Sequence, residues 1–172
     1  MVNNISFSYV LCFLTRTERV LMLHRRYPPN QGLWNGVGGR IEPGETPLAA
    51  CLREVQEETG YTLAAARFCG LLTWTGFEIR DGGLYLFTAS LPETAAGELA
   101  APGLPMAHDF ACTEGELVWQ PRQWACTAPE VVSNLHICLP PILDGAPLQE
   151  YHFDYRAGEI FGYEIRKITI EK

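Results

Sequence analysis

Short apolar segments separated by polar or glycine-containing breaks predict a chain that is rich in β-strands. Val, Leu, Phe and Tyr dominate two early segments, and the polar break TRTE between them predicts a hairpin. Strands are predicted at residues 6–14, 19–23, 64–75, 83–90 and 115–121. The sequence EYHFDYRAGEIFGYEIRKITI predicts a closing hairpin that turns at Ala157–Gly158. Prolines and glycines predict loops at residues 25–36 and 92–109.

One segment carries signals for both ends of a helix. Thr46 is a suitable N-cap, Pro47 fits the first helical position, and Gly60 is a natural residue beyond the last turn. A helix is therefore predicted at Pro47–Thr59. The preceding sequence EPGE (42–45) is typical of a type II turn, because glycine accepts the positive φ at its third position.

The order of the predicted elements indicates the fold class. A second helix is predicted within APEVVSNLHICLPPIL (128–143), broken at Pro140–Pro141 because proline lacks the backbone donor. One helix in the middle of the chain and one near its end, with strands between them, predict an α+β fold in which a mixed β-sheet is sandwiched between helices (α/β/α). A length of 172 residues fits a single domain over residues 1–172.

The first predicted helix carries an apolar stripe beside an acidic one. The apolar stripe consists of Leu48, Cys51, Leu52 and Val55, which we expect to face the sheet. Glu54, Glu57 and Glu58 stand at positions i, i+3 and i+4, so their carboxylates are expected to converge. Each like-charged pair at this spacing costs about a few tenths of a kcal/mol. A positive partner is therefore expected.

Two interpretations account for the acidic stripe. Arg53 is expected to lie on its far side and to point toward the preceding turn, which makes Arg53 a poor counter-ion. Oxygen ligands at short spacing suit a hard divalent cation, and Mg²⁺ is the first choice. The alternative is a solvated acidic helix face that binds nothing.

Charge and composition restrict the class of partner. A net charge of −7 and a pI near 5.1 argue against polymeric nucleic acid, whose phosphates require a basic face. A small phosphorylated ligand stays compatible if metal cations supply positive charge. Because no apolar run approaches the length of a membrane span and no basic leader precedes the first strand, we expect a cytoplasmic protein without a membrane partner. The six scattered cysteines are expected to be reduced.

The spacing of fixed residues over 39–61 resembles the signature of the Nudix hydrolase superfamily, and of its MutT-like members in particular. Gly39, five residues, Glu45, seven residues and then REVQEETGY (53–61) match it, although Tyr61 stands where the family usually has an aliphatic residue. The predicted strands are compatible with the family fold, a mixed sheet between helices. The resemblance implies hydrolysis of a phosphoanhydride bond in a nucleoside diphosphate linked to another moiety.

The resemblance also implies metal ligands and a general base. The implied ligands of Mg²⁺, with Mn²⁺ as an alternative, are Glu54, Glu57, Glu58 and the carbonyl oxygen of Gly38. Arg53 would pair with Glu45 and orient the acids. The base would be Glu54, Glu57 or an acid from outside the helix. For the last role Glu114 in TEGELVW is the candidate, chosen over Glu116, and a simple surface turn is the alternative interpretation.

Two further segments resemble those of enzymes that hydrolyse 8-oxo-dGTP. In LWNGVGGR (33–40), Asn35 would bind the purine edge, and Gly39 belongs to the same substrate-binding segment. Ahead of the second helix, Asn134 would also contact the base, because an amide both donates and accepts hydrogen bonds. Alternatively, Asn35 is a turn residue and Asn134 an ordinary residue at a helix start.

The leading hypothesis is a Mg²⁺-dependent hydrolase that converts 8-oxo-dGTP or a related purine nucleotide to monophosphate and pyrophosphate. Trp74 and Phe77 would stack on the base or belong to the core. Other substrates stay open: ADP-ribose, a nucleotide sugar, a dinucleoside polyphosphate or a pterin triphosphate. Residues 72–80 lack the proline and tyrosine that mark the ADP-ribose and diadenosine polyphosphate groups of the family. A nucleotide-binding sensor without activity is a third possibility, and both a monomer and a homodimer are compatible with the sequence.

Overall fold

The computed structural model describes residues 7–78, 82–92 and 112–169, and in these residues one mixed sheet packs against three helices. The strands are β1 (Tyr9–Arg16), β2 (Arg19–Arg25), β3 (Trp34–Asn35), β4 (Arg67–Thr75), β5 (Gly82–Ser90), β6 (Gly115–Pro121), β7 (Gln149–Arg156) and β8 (Glu159–Lys167). The helices are α1 (Pro47–Thr59), α2 (Arg122–Thr127) and α3 (Leu135–Leu143). The predicted loop at 92–109 lies, from residue 93 onward, outside the described residues.

The sheet contains parallel and antiparallel pairs, as predicted. Its order is β3-β2-β1-β5-β4-β7-β8, and β6 pairs with β2 beside this path. Strands β1 and β5 are parallel, as are β4 and β7, whereas the other strand pairs are antiparallel. None of the helices in the described part of the chain is long and apolar enough to cross a bilayer.

A gap between β1 and β2 receives the glycine-rich segment that follows the first loop. The two strands pair only next to their turn, at Thr15↔Val20 and Arg16↔Arg19. Farther along, Trp34 and Asn35 form β3 against β2, and the chain then crosses to β1. There the backbone N–H of Val10 donates to the carbonyl of Gly39 at 2.9 Å. The crossing brings the glycines into the middle of the sheet.

Alternating side chains of the strands separate two hydrophobic layers. On β1, Cys12 and its neighbours at every second position pack with Cys51 and Val55 of α1. Phe13 points to the opposite face and packs in the layer that contains Leu139 of α3. The predicted α/β/α arrangement is therefore confirmed. All six cysteines are free thiols, also as predicted.

Helix α1 has the predicted bounds. The hydroxyl oxygen of Thr46 accepts a hydrogen bond from the N–H of Ala49 at 3.2 Å, and Gly60 ends the helix with φ 75°. In the preceding turn the N–H of Glu45 donates to the carbonyl of Glu42, and Gly44 has φ 83°. The predicted position of Leu48 is wrong, because 41% of this side chain is exposed. Burial begins at Ala50, so the first turn projects beyond the core.

The second helical region differs from the prediction. A short helix, α2, precedes it directly after β6, and residues 128–134 form turns in which Val131 bridges to Trp34. Helix α3 therefore starts only at Leu135, and it continues through Pro140 and Pro141 instead of ending there. The missing donors are tolerated because four side chains of this nine-residue helix are buried in the core.

The closing hairpin turns at Ala157–Gly158, as predicted. These residues have φ values of 51° and 82°, which is the backbone of a type I′ turn that matches the strand twist. The other predicted strands form with shifted ends. Strand β4 begins at Arg67 rather than at residue 64, and β2 extends to Arg25.

The difference in burial between Leu139 and Leu48 gives a test of the packing. The variant Leu139→Ala leaves a cavity in the layer beneath α3 and is expected to lower the free energy of unfolding by about 2–5 kcal/mol. The matched variant Leu48→Ala removes a half-exposed helix side chain and is expected to cost less than about 1 kcal/mol. Urea denaturation of both variants measures the two values. Equal losses would contradict the described packing of α3.

Candidate active site

The predicted site residues meet at one cavity of about 540 Å³. Its walls come from α1, from the crossing segment between β2 and β1, and from the ends of β4 and β7. The predicted residues in these walls are Asn35, Gly38, Gly39, Glu54, Glu57, Glu58, Glu114 and Asn134. Arg53 lies behind the wall and contacts Glu54 and Glu57, and Glu45 binds Arg53. A volume of this size lies within the usual range of small-molecule sites.

The carboxylates of α1 lie directly on the glycine backbone. A Cβ atom at position 39 would lie 2.4 Å from the carboxyl carbon of Glu54, so a side chain there would displace this carboxylate. The backbone N–H of Gly38 donates to Oε2 of Glu58 at 2.9 Å. At position 38 a Cβ atom would lie 2.2 Å from the backbone carbonyl oxygen of Val10 on β1, so the crossing segment requires glycine there.

Glu58 is a buried acid without a cation. Only 6% of the residue is exposed, and within the described chain it forms no ion pair. Burial raises the pKa of Glu58 to about 8, although the Gly38 N–H acts in the opposite direction. The charges of Glu54 and Glu114 raise this pKa further, and that of Arg25 lowers it. A carboxylate in this position favours binding of a cation.

Arg53 points toward the turn that precedes the helix, as predicted, but it is also the counter-ion of the other two α1 acids, which corrects the prediction that it would be a poor one. Its Nη1 donates to Oε1 of Glu54 at 2.9 Å and to Oε2 of Glu57 at 3.0 Å. Its Nε and Nη2 both bind the carboxylate of Glu45 at 3.0 Å, and Nη2 also donates to the Arg40 carbonyl. The five donors of a guanidinium allow this simultaneous pairing. The bond from Arg53 lowers the pKa of Glu45.

The donor set fits a hard divalent cation in its chemistry. Three carboxylates and the neighbouring backbone carbonyls offer oxygen ligands only, which Mg²⁺ and Mn²⁺ accept. In the described residues, however, no three acidic, histidine or cysteine side chains are close enough to hold a metal together. Arg53 already binds Glu54 and Glu57. Metal binding by all three acids therefore requires side-chain movement around Arg53.

Arg25 is a cavity residue that the sequence reasoning missed. Its Nε donates to the Pro29 carbonyl at 2.7 Å, and its Nη2 lies 3.8 Å from Oε2 of Glu114. The alternation along β2 could have located it, because Leu21 and Leu23 occupy the buried face under α1 and Arg25 continues that face. Arg25 gives the cavity a fixed cation beside its acids.

Glu114 lies in the cavity wall, whereas Glu116 does not. Glu116 is exposed on β6 opposite His24. Glu114 precedes the strand and is near enough to Glu58 for its charge to raise the Glu58 pKa. Its carboxylate is not bound by Arg53. Of the two acids, only Glu114 is therefore placed to act on a ligand in the cavity, as its choice over Glu116 requires.

Two asparagines present complementary groups to the cavity. The Oδ1 of Asn35 accepts the N–H of Gly36 at 2.8 Å, and the Nδ2 of Asn134 donates to the hydroxyl of Tyr155 at 3.0 Å. Within the described chain the Nδ2 of Asn35 and the Oδ1 of Asn134 have no hydrogen-bond partner. The cavity can therefore donate a hydrogen bond from Asn35 and accept one at Asn134.

Aromatic rings form the apolar part of the wall. Phe77 lies between Trp74 and Tyr155, with ring centroids at 6.2 and 4.8 Å, and all three rings line the cavity. Trp74 is also a core residue, since only 8% of it is exposed. Trp74 therefore belongs to the core and also reaches the cavity wall, while its stacking on a base stays a prediction. Tyr155 was missed, although Tyr151, Phe153 and Tyr155 alternate along one buried face of β7.

Comparisons with known proteins point in one direction. The family model described as the NUDIX domain matches residues 7–130. A Bacillus subtilis (strain 168) protein provisionally named 8-oxo-dGTP diphosphatase is 32% identical over 103 residues, which cover 54% of this chain and 65% of the relative. Dihydroneopterin triphosphate diphosphatase of Escherichia coli (strain K12) is 43% identical over 56 residues, covering 33% of this chain and 36% of the relative.

A solved structure has a similar fold. The MutT protein of Bacillus halodurans superimposes with a TM-score of 0.67 and 24% identity, covering 93% of this chain and 97% of that protein. The matching part of the chain spans less than two thirds of both curated relatives.

The burial of Glu58 predicts a pH-dependent stability in the absence of metal. Its pKa is raised to about 8 in the folded protein, so folding is opposed once this acid ionises. As the pH rises from about 5 to 9, the free energy of unfolding is therefore expected to fall by on the order of a few kcal/mol relative to that of the variant Glu58→Gln. Urea denaturation in chelator at three pH values measures the difference. A constant difference between the two proteins would contradict the described burial.

Proposed function

Because the chain belongs to the NUDIX domain family, we propose that it is a divalent-metal-dependent hydrolase that cleaves a phosphoanhydride bond of a nucleotide or nucleotide-like triphosphate. The observation that carries this proposal is a single cavity in which the α1 carboxylates face the same space as two asparagines and three aromatic rings. The acids suit a metal-bound polyphosphate, and the amides and rings suit a planar heterocycle. One molecule of about nucleotide size can contact both.

The cation would be held by Glu54, Glu57 and Glu58 with the carbonyl of Gly38. When bound, a divalent cation neutralises phosphate charge, polarises the bond that breaks and lowers the pKa of a bound water. Glu58 supports this assignment, because its burial without a positive partner disfavours its ionised form until a cation arrives.

The residues around the acids divide the remaining tasks. Arg53 holds Glu54 and Glu57 in place through direct hydrogen bonds while its other edge is fixed by Glu45. Arg25 offers a cation to phosphate oxygens in the same cavity. Glu114 is the candidate base from outside the helix, because Arg53 does not bind it; Glu54 and Glu57 are the alternatives.

The substrate class follows from the free amide groups. A donor at Asn35 and an acceptor at Asn134 match a ring that carries neighbouring C=O and N–H groups, as guanine, 8-oxoguanine and pterin do. We therefore propose 8-oxo-dGTP or a related oxidised purine nucleotide as the substrate, with monophosphate and pyrophosphate as products. A pterin triphosphate is the second candidate, because one relative is named for that substrate. A sensor without activity is disfavoured by the complete set of acids.

Loss of one metal ligand tests the reaction. We expect Glu57→Gln to lower kcat by about 100-fold or more, because a carboxylate that holds a catalytic cation contributes several kcal/mol. Gln56→Ala is the matched control, since Gln56 is exposed on the same turn of α1. Product analysis with Mg²⁺ and a panel of 8-oxo-dGTP, dGTP, a pterin triphosphate, ADP-ribose and diadenosine tetraphosphate gives the rates. Turnover of no panel member would favour the sensor.

Loss of the free acceptor tests the recognition of the ring. We expect Asn134→Leu to lower kcat/KM for 8-oxo-dGTP by about 10- to 100-fold, because a ligand N–H is left unpaired in the cavity. Tyr155→Phe is the control: it keeps the ring and removes only the hydroxyl that binds Asn134. Asn134→Leu should change inhibition by pyrophosphate only slightly, because pyrophosphate lacks the ring that Asn134 is proposed to contact. An unchanged kcat/KM in Asn134→Leu would show that Asn134 does not contact the base. A strong preference of the wild type for ADP-ribose would contradict the proposed substrate.

A further inference from the structure

Strand β8 lies at one end of the sheet and exposes apolar side chains there. Within residues 7–78, 82–92 and 112–169 only β7 pairs with it, and no other strand of these residues lies on its outer side. Phe161, Tyr163 and Ile165 on this strand are 65%, 55% and 45% exposed. A nine-residue open edge with this composition is the kind of surface that pairs with another strand.

The hydrogen-bond pattern of the hairpin decides which backbone groups point outward. The N–H of Ile168 donates to the carbonyl of Leu148 on the β7 side. Because inward and outward groups alternate along an antiparallel strand, residues 162, 164 and 166 also bond to β7. The N–H and C=O groups of Tyr163, Ile165 and Lys167 therefore face the open side.

The charges of β8 select one register for pairing with an identical strand. In a two-fold antiparallel pair centred on Ile165, Glu164 of each copy lies opposite Arg166 of the other. Centring on Glu164 or on Arg166 places like charges opposite each other, and centring on Tyr163 places Glu164 opposite Gly162. The register centred on Ile165 also pairs Tyr163 with Lys167, so all three outward-facing residues form ladder hydrogen bonds.

We propose that the chain forms a homodimer through β8, in which two sheets join edge to edge around a two-fold axis at Ile165. Within one chain Arg166 already contacts Glu164 and lies 3.7 Å from Glu150. The second copy completes a square of alternating charges, Glu164 and Arg166 from each chain. The pairs at 164 and 166 are the non-hydrogen-bonded type, in which side chains approach most closely. Such a self-complementary contact closes after two copies.

The opposite face of the edge contributes apolar contact. Tyr163 and Ile165 lie on the face of Phe153 and Tyr151, beyond the part that α3 covers. In the dimer the two Ile165 side chains meet, and the stem of each Lys167 lies against Tyr163 of the other copy. No residue of β8 lines the cavity, so the two sites stay separate.

Complementation between two charge variants tests the proposal. In Glu164→Arg homodimers, Arg would face Arg166, and in Arg166→Glu homodimers Glu164 would face Glu. The dimer of each variant alone should have a dissociation constant about tenfold or more above that of the wild type, since two attractive pairs become repulsive. An equimolar mixture restores two opposite-charge pairs per heterodimer and should regain near-wild-type affinity. Sedimentation velocity over a range of concentrations measures the constants.

Two controls keep the outcome specific. Glu18→Arg makes the same charge change at an exposed turn and should dimerise like wild type, alone or mixed with wild type. Ile165→Cys should form a disulfide with a second copy under mild oxidation, beyond the level of wild type, because paired Cα atoms in this register lie within disulfide range. A monomeric wild type at all concentrations, a dimer insensitive to Glu164→Arg, or a mixture without recovery would each overturn the proposal.

Discussion

The contact between the α1 acids and the backbone of Gly38 and Gly39 is the constraint on which the rest of the structure depends. A side chain at Gly39 would displace the carboxylate of Glu54, and one at Gly38 would meet the backbone of β1. The glycines reach the helix only because β1 and β2 separate beyond their turn. The crossing segment must fill that gap and pair with both strands. Any change that closed the gap would displace the glycines from beneath the acids.

Electrostatics and packing work against each other at this contact. The core beneath α1, with Cys51 and Val55 fully buried, fixes the helix in a position that also buries Glu58. Arg53 satisfies Glu54 and Glu57 but not Glu58. The apolar layer therefore stabilises an arrangement that is unfavourable for one ionised acid. Such a balance is typical of functional sites, where binding of a ligand removes the unfavourable term.

The local signals in the sequence were sufficient for α1 and for most strands, because caps, turn residues and alternation act over a few residues. Thr46, the turn at Gly44 and the hairpin at Ala157–Gly158 are examples.

The errors concern tertiary context. The exposure of Leu48 depends on where the core ends. The pairing of Arg53 with Glu54 and Glu57 depends on side-chain positions that a helical projection alone does not give. Helix α3 continues through two prolines because burial outweighs lost bonds. Arg25 and Tyr155 continue the alternation of β2 and β7, but their place in the cavity wall depends on which segments the fold brings beside them.

The β7–β8 hairpin connects the two parts of the molecule that carry proposals. Tyr155 of β7 contributes its ring to the cavity and holds Asn134 through its hydroxyl, while its pair partner on β8 is Ile160. The outer side of the same hairpin is the open edge of the sheet. A strand added there would restrict fraying of β8, and the ladder would transmit that restriction to β7. Dimerisation through β8 would thus hold in place the wall that contacts the heterocycle, whereas the acids on α1, in the other layer, would be unaffected.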